Sequence, residues 1–467
     1  MSTTEAAGAA LGTGLKPRHI TMISIAGVIG AGLFVGSRTA IAEAGPAVLV
    51  SYALAGLLVV LVMRMLGEMA TAQPDTGSFS TYAERSLGRW AGFAVGWLYW
   101  WFWVLVIPVE ATAAADILSA WLGAPQWVWA LAVTAALTAT NLASVGNYGE
   151  FEFWFALVKV VAIVAFIALG VAAILGLLPG SEVSGLSGLT AHGGFLPNGL
   201  DAVLAGITIT MFSFMGTEIV TIAAAESEDP RGGVRRAVNS VIWRIGLFYL
   251  GSIFVVVSLV PWNSAELAAP GSGSYQYTLE RMGIPAAAPV MEFVILTAVA
   301  SCLNSALYTA SRMAFSLSRR GDAPALLSQV TARGVPAPAI LASTAFGFVA
   351  VLGNYLVPEK IFEYLLATSG ALALVIYLII ALSQVRMRRV LDRDGTVPAV
   401  RMWLFPWLTY ATIAFIAAVL VLMLVQPEQR SQVGLSAALT VAVVAAGVVL
   451  TRRGAASRAP SGSTTGR

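Results

Sequence analysis

Lys159, Glu110 and Glu218 are the residues of this sequence best placed to do chemistry, because each stands inside a long apolar run where a charge is expensive. A lysine enclosed in such a run, here Trp154 to Ala168, either loads and releases a proton or snorkels to the interface on its long stem. A carboxylate at mid-span needs a partner, and a substrate ammonium, a basic side chain or a proton would each serve. Glu218 directly follows Gly216-Thr217; its structural alternative is a polar network holding a broken helix. Glu110, two residues after Pro108, is a second candidate for an amine partner or else an acceptor between helices, and Asp116 lies nearer the outer end. None of this is bond-making chemistry. Cys302 is the single cysteine, and His19 and His192 fall in terminal or loop positions, so no disulfide, metal site, cofactor or nucleophile–base pair is expected.

Glycine spacing supplies the second kind of chemistry. Gly27, Gly30, Gly32 and Gly36 fall within ten residues, and each glycine inside a helix costs about 1 kcal/mol relative to alanine. A helix broken there would aim the freed amides of Gly30, Ala31 and Gly32 at a substrate carboxylate, with Val28 beside them. Gly27 would lie at the carbonyl end, where the Lys159 ammonium could act in proton coupling. Close packing of small residues is the alternative. Met211 to Glu218 interrupts a later run in the same way, and Phe212 and Phe214 flank that break, to close over a ligand or simply to pack. Ser301, Asn304, Ser305, Tyr308, Ser311 and Arg312 recur at helical spacing on one face, which lines an aqueous pathway or bonds a neighbouring helix.

These residues need elements that can hold them in an apolar solvent. Of 467 residues, 58% are hydrophobic and only 11% charged, against roughly 25% charged in soluble domains. Apolar runs of about 20 residues, enough to cross a ~30 Å hydrocarbon core as helix, recur along nearly the whole chain. Lipid offers backbone amides no partner, so the spanning elements are helices; the strand alternation of a barrel is absent. The expectation is an all-α polytopic membrane protein with 12 transmembrane helices, at about 19–44, 46–69, 91–120, 126–145, 151–177, 199–225, 237–261, 289–318, 338–356, 361–385, 402–425 and 432–451. No cleaved signal peptide is expected.

With the N-terminus inside, only Arg38, Arg281, Lys360 and Arg430 fall in outer loops, while Arg64, Lys159, Arg244 and Arg312 fall within spans. The remaining Lys and Arg are cytoplasmic, and an even span count returns the C-terminus there. The net charge of +3 thus reflects topology in the cell membrane and calls for no nucleic acid. The interruptions of spans one and six recur five spans apart. Because five is odd, the second unit enters from the opposite side, giving an inverted repeat. The expected organisation is a cytoplasmic tail (1–18), two five-helix repeats (19–177 and 199–385), accessory helices eleven and twelve (402–451) and a disordered polar tail (452–467). Paired broken helices point to alternating access in a secondary transporter, over a passive channel or a membrane enzyme.

The residues that carry a resemblance are Leu15 to His19 leading into Ser24 to Gly30, Met63 to Met69, Pro74 to Ser80, Gly96 to Trp101, Asn147 to Glu152, Phe212 to Glu218, and Ser301 to Asp322. On these stretches, between residues 15 and 425, the sequence resembles permeases of the amino acid-polyamine-organocation (APC) superfamily. The resemblance implies import of a small amino acid by proton symport, substrate held between the first and sixth spans, and a coupling role for Lys159. It implies 4-aminobutyrate (GABA) as first substrate, with proline, an aromatic or a cationic amino acid, or exchange in place of symport, as alternatives. Relatives often carry a hydroxyl residue where this chain has Ala31 and a small residue where it has Arg38. GABA carries its ammonium three methylenes from its carboxylate, so its acidic partner must lie farther from the Gly30 to Gly32 amides than an α-amino acid requires.

Overall fold

The computed structural model describes residues 18–19, 22, 29–75, 78–143, 145–225, 229–268, 273–284, 286–356 and 358–456. Gly27 and Val28 lie outside the described residues. Those described form helices and connecting turns, with no strand among them. Nine helical stretches among them are long and apolar enough to cross a membrane. The first and second expected spans run together in one such stretch, Ala31–Ala72. The fourth, Gln126–Ala143, is helical but is not one of the nine. Its Thr134, Thr138 and Thr140 return their hydroxyls to carbonyls of their own helix.

In chain order, two short helices, α1 (Ala31–Phe34) and α2 (Gly36–Ala44), meet at Val35. Gly45, at φ +61°, turns the chain into α3 (Val48–Ala72), and a Cβ there would lie 2.5 Å from Pro197. The short α4 (Ser78–Leu87) precedes α5 (Arg89–Leu122), α6 (Gln126–Ala143) and α7 (Val145–Ile174). The sixth expected span divides into α8 (Gly199–Phe214) and α9 (Ile219–Ala225). Asp229 caps α10 (Pro230–Arg244) by accepting from the Gly232 amide, with Pro230 at the first turn where its missing N–H costs nothing. A π-helical stretch, Ile245–Gly251, joins α10 to α11 (Ser252–Leu259). There follow α12 (Ala265–Ala268), α13 (Ser274–Arg281), α14 (Ala287–Arg319), α15 (Ala337–Leu356), α16 (Pro358–Arg393), α17 (Trp407–Val425) and α18 (Pro427–Ala456).

Two boundaries differ from expectation in ways that matter. Helix α7 begins at Val145 where 151 was expected, so Glu150 is a helical residue and Glu152 lies two turns inside the helix and not at its start. Helix α18 continues to Ala456, so residues 452–456, expected in a disordered tail, are helical; 457–467 lie outside the described residues. The centre of the bundle is α5, packed against α1, α4, α6, α14, α15, α16 and α18. At the periphery, Trp154, Val161, Val164 and Val171 of α7 and Val421 and Val425 of α17 are exposed, the apolar surface that lipid covers.

Candidate substrate site

The break in the first span is capped by a side chain from the central helix. Gly30 is extended (φ −141°, ψ −148°) and α1 starts at Ala31, whose amide donates to Glu110 Oε2 at 3.0 Å and Oε1 at 3.3 Å. An anion at a helix N-terminus meets both orphan N–H groups and the positive end of the dipole. One of the amides expected to face a substrate carboxylate therefore holds the protein's own carboxylate here. A Cβ at Gly30 would lie 2.7 Å from both Glu110 Oε1 and Cys302 Cβ, and one at Gly32 would lie 2.9 Å from Phe212 and from the Ser213 backbone. The two glycines thus serve close approach as well as the break.

The break in span six is finished from within. Helix α8 ends at Phe214, Met215 is extended, and Gly216 takes φ +102° in a site where a Cβ would meet the Trp103 ring at 3.0 Å. The Gly216 amide donates to both oxygens of Glu218 at 3.1 Å. Tyr99 donates to Glu218 Oε1 at 3.0 Å and Tyr377 to Oε2 at 3.4 Å. The freed Ser213 carbonyl accepts from Tyr249 and that of Phe214 from Thr217. Of the partners considered for Glu218, the structure supplies hydroxyls and a backbone amide, and so the network that secures the break.

Between the two breaks lies a constricted cavity, about the size of one water molecule, lined by Gly32, Phe102, Trp103, Val106, Glu110, Phe212, Ser213, Met215 and Cys302. Phe212 belongs to it, tilted against Phe102 at 6.3 Å. Phe214 does not line it: two residues on, it faces the other side and packs on Tyr52 and Tyr249. Ser213 Oγ, buried, has no hydrogen-bond partner among the described residues, and neither has Trp103 Nε1. Neither residue stood out in the sequence, Ser213 because it sits between two phenylalanines and Trp103 because it is one of a run of aromatic residues. One and nearly two turns farther along α5 from Glu110, Ala113 and Asp116 line a second cavity with Arg38, Gln276 and Glu292.

Lys159 does not snorkel. It is fully buried and donates to Ser301 Oγ at 2.8 Å, and Ser301 donates to Glu152 Oε1 at 2.7 Å. Glu152 Oε2 is buried without a hydrogen-bond partner among the described residues. Lys159 lies close enough to Glu152 and Glu110 to feel both charges. Glu152 escaped notice as a site residue because it stood at the very start of the expected span 151–177, where a charge can reach water; it stands seven residues, two turns, before Lys159 on the same face. The polar face of α14 is buried and makes hydrogen bonds to neighbouring helices. Asn304 accepts from Asn141 at 2.7 Å, Arg312 lies over the Tyr308 ring at 4.0 Å, and Ser301, Ser305 and Tyr308 are all buried.

A bundle of apolar helices with two interrupted spans around a small, acid-bearing cavity defines a multi-pass membrane transporter of small solutes. The chain belongs to the amino acid permease family, whose pattern matches residues 19–454. It is 64% identical over 447 residues to a probable GABA permease of Pseudomonas aeruginosa, covering 95% of this chain and 94% of that one. It is 59% identical over 443 residues to the gamma-aminobutyric acid permease of Escherichia coli K12, covering 95% of each. It is 44% identical over 424 residues to the aromatic amino acid transport protein AroP of Corynebacterium glutamicum, covering 91% of this chain and 92% of that one.

Proposed function

We propose that this chain imports GABA by proton symport with alternating access, Glu110 holding the substrate ammonium and the amides of Gly30, Ala31 and Gly32 its carboxylate. The observation that carries the reading is the 3.0 Å contact between the Ala31 amide and Glu110, a residue that borders the inter-break cavity. Acid and amide in direct contact are the two ends of an amino-acid site with nothing between them. A substrate enters as a spacer, exchanging its ammonium for the amide on Glu110 and its carboxylate for Glu110 on the amide. GABA, with three methylenes, needs α1 to draw farther from α5 than an α-amino acid does. The names borne by the relatives with 64% and 59% identity support GABA over an aromatic substrate. The matched interruptions support a twelve-helix, five-plus-five inverted repeat, with cytoplasmic termini under the positive-inside rule.

Coupling runs through Lys159. Its proton is held against Ser301 and released toward Glu152, two turns nearer the cytoplasmic end, with Glu110 close enough to relate the charge on Lys159 to the presence of an ammonium. Competition of labelled GABA uptake in proteoliposomes by glycine, β-alanine, GABA and 5-aminovalerate tests the spacer. Inhibition should peak at three methylenes; strong inhibition by proline or lysine with none by GABA overturns the substrate. In the same vesicles, Lys159→Ala should abolish accumulation driven by a pH gradient while substrate binding persists. Undiminished accumulation would remove Lys159 from the coupling path.

A further inference from the structure

We infer that the basic end of the bundle carries a binding site for the phosphate of an anionic phospholipid headgroup, built by Arg85 of α4 and by Arg386, Arg389 and Arg393 of α16. These four guanidinium groups line one cavity of about 380 Å³, far larger than the cavity between the breaks. Residues 386, 389 and 393 share a helix face at spacings of three and four.

The arginines of α16 are sorted by function. Arg388, on a different face, is neutralised: it donates to Glu68 at 2.7 Å and to Asp392 at 2.8 Å, and Glu68 is further held by Gln384 and the Met402 amide. Among the described residues Arg386 reaches the Ser86 carbonyl at 3.4 Å and Arg389 the Tyr410 hydroxyl at 2.7 Å. Neither these two nor Arg393 makes an ion pair with a carboxylate among the described residues. Arg85 spends one donor on Gln73 and one on Asp75, and Asp394 is the one acid among the described residues of the lining. Three arginines that form no ion pair among the described residues, facing one hollow whose lining holds a single acid, leave planar N–H forks for an oxyanion, the geometry that phosphate accepts in pairs.

The rest of the lining distinguishes a lipid from a free ion. Met387, Val390 and Leu391 give the cavity an apolar side, and Val390 is 52% exposed. The arginines of α16 lie beyond the apolar run expected to end at 385, which puts them at headgroup depth on the end of the bundle that is cytoplasmic under the orientation proposed above. The positive-inside rule accounts for arginines at this end but requires neither a cavity nor their convergence on it.

The test is titration of the purified full-length protein in neutral detergent with short-chain phosphatidylglycerol, phosphatidylcholine and glycerol 3-phosphate, read by native mass spectrometry and by thermal shift. Phosphatidylglycerol should bind saturably and phosphatidylcholine should not. Replacing Arg386, Arg389 and Arg393 together by Gln should weaken phosphatidylglycerol binding at least about tenfold. The exposed triple change Arg231→Gln, Arg235→Gln and Arg236→Gln removes the same charge elsewhere and should leave it unchanged. Glycerol 3-phosphate binding as tightly as the lipid keeps the phosphate chemistry and overturns the lipid as its source. Equal losses in the two triple variants, or no preference for phosphatidylglycerol over phosphatidylcholine, overturns the site.

Discussion

Glu110 and Glu218 each cap a broken membrane helix, and they do it in opposite ways. Glu218 reaches back two residues to the Gly216 amide of its own segment and is locked by Tyr99 and Tyr377. Glu110 reaches across from α5 to the Ala31 amide, borders a cavity and has Cys302 for a neighbour. The first carboxylate has its acceptor positions filled by groups that belong to the fold. The second is held by a single backbone amide, the contact that the proposed substrate ammonium would replace. A buried acid in a membrane helix is therefore no signature of binding until its partners are named; what separates a structural acid from a working one is whether the fold keeps its capacity occupied.

The largest expected effect lies on the structural side. Glu218→Ala leaves a buried amide and two hydroxyls without their acceptor, which should destabilise the protein by about 3 kcal/mol or more, lowering the thermal unfolding midpoint with or without substrate. Glu218→Gln, still an acceptor, should recover most of that loss. Next is Glu110→Gln, which should keep the parent's unfolding midpoint, since an amide oxygen can still accept from Ala31, but weaken substrate binding by roughly tenfold to a hundredfold through loss of a charge-assisted contact. A destabilised Glu110→Gln beside an intact Glu218→Ala would reverse the comparison. The smallest effect belongs to Gly216→Ala: a Cβ at φ +102° should cost about 1–2 kcal/mol, with a further penalty where it meets Trp103 at 3.0 Å. Full stability in that variant would show that the sixth-span break does not depend on its glycine.

How far the sequence could be read follows from the range of the interactions involved. The interruption at Gly216-Thr217 was legible because glycine and a following acid are local signals, and the structure ends α8 at Phe214 and resumes at Ile219. The start of α1 at Ala31 was legible from glycine spacing for the same reason. The pairing of Glu110 with Ala31 was not, because the two are 79 residues apart and only the packing of α1 on α5 brings them together. The Lys159–Ser301–Glu152 chain was half legible: the lone lysine announced itself, but its link to Glu152 runs through a serine 142 residues away. Phe212 and Phe214 looked equivalent along the chain, and helical geometry alone sends one to the cavity and the other into an aromatic cluster. The π-helical stretch Ile245–Gly251 left no mark on the apolar pattern at all.

Helix α5 is hemmed in on nearly every side, and the last helix of the chain lies along it, with Gly447 so near Trp90 that a Cβ would approach its carbonyl oxygen at 2.9 Å. A rod held that firmly is the anchored part of the machine. Under the proposed alternating access, Glu110 would be a fixed post and the four-residue α1 the latch that swings away from it, so that each cycle would unhook the latch while the post stays where it was.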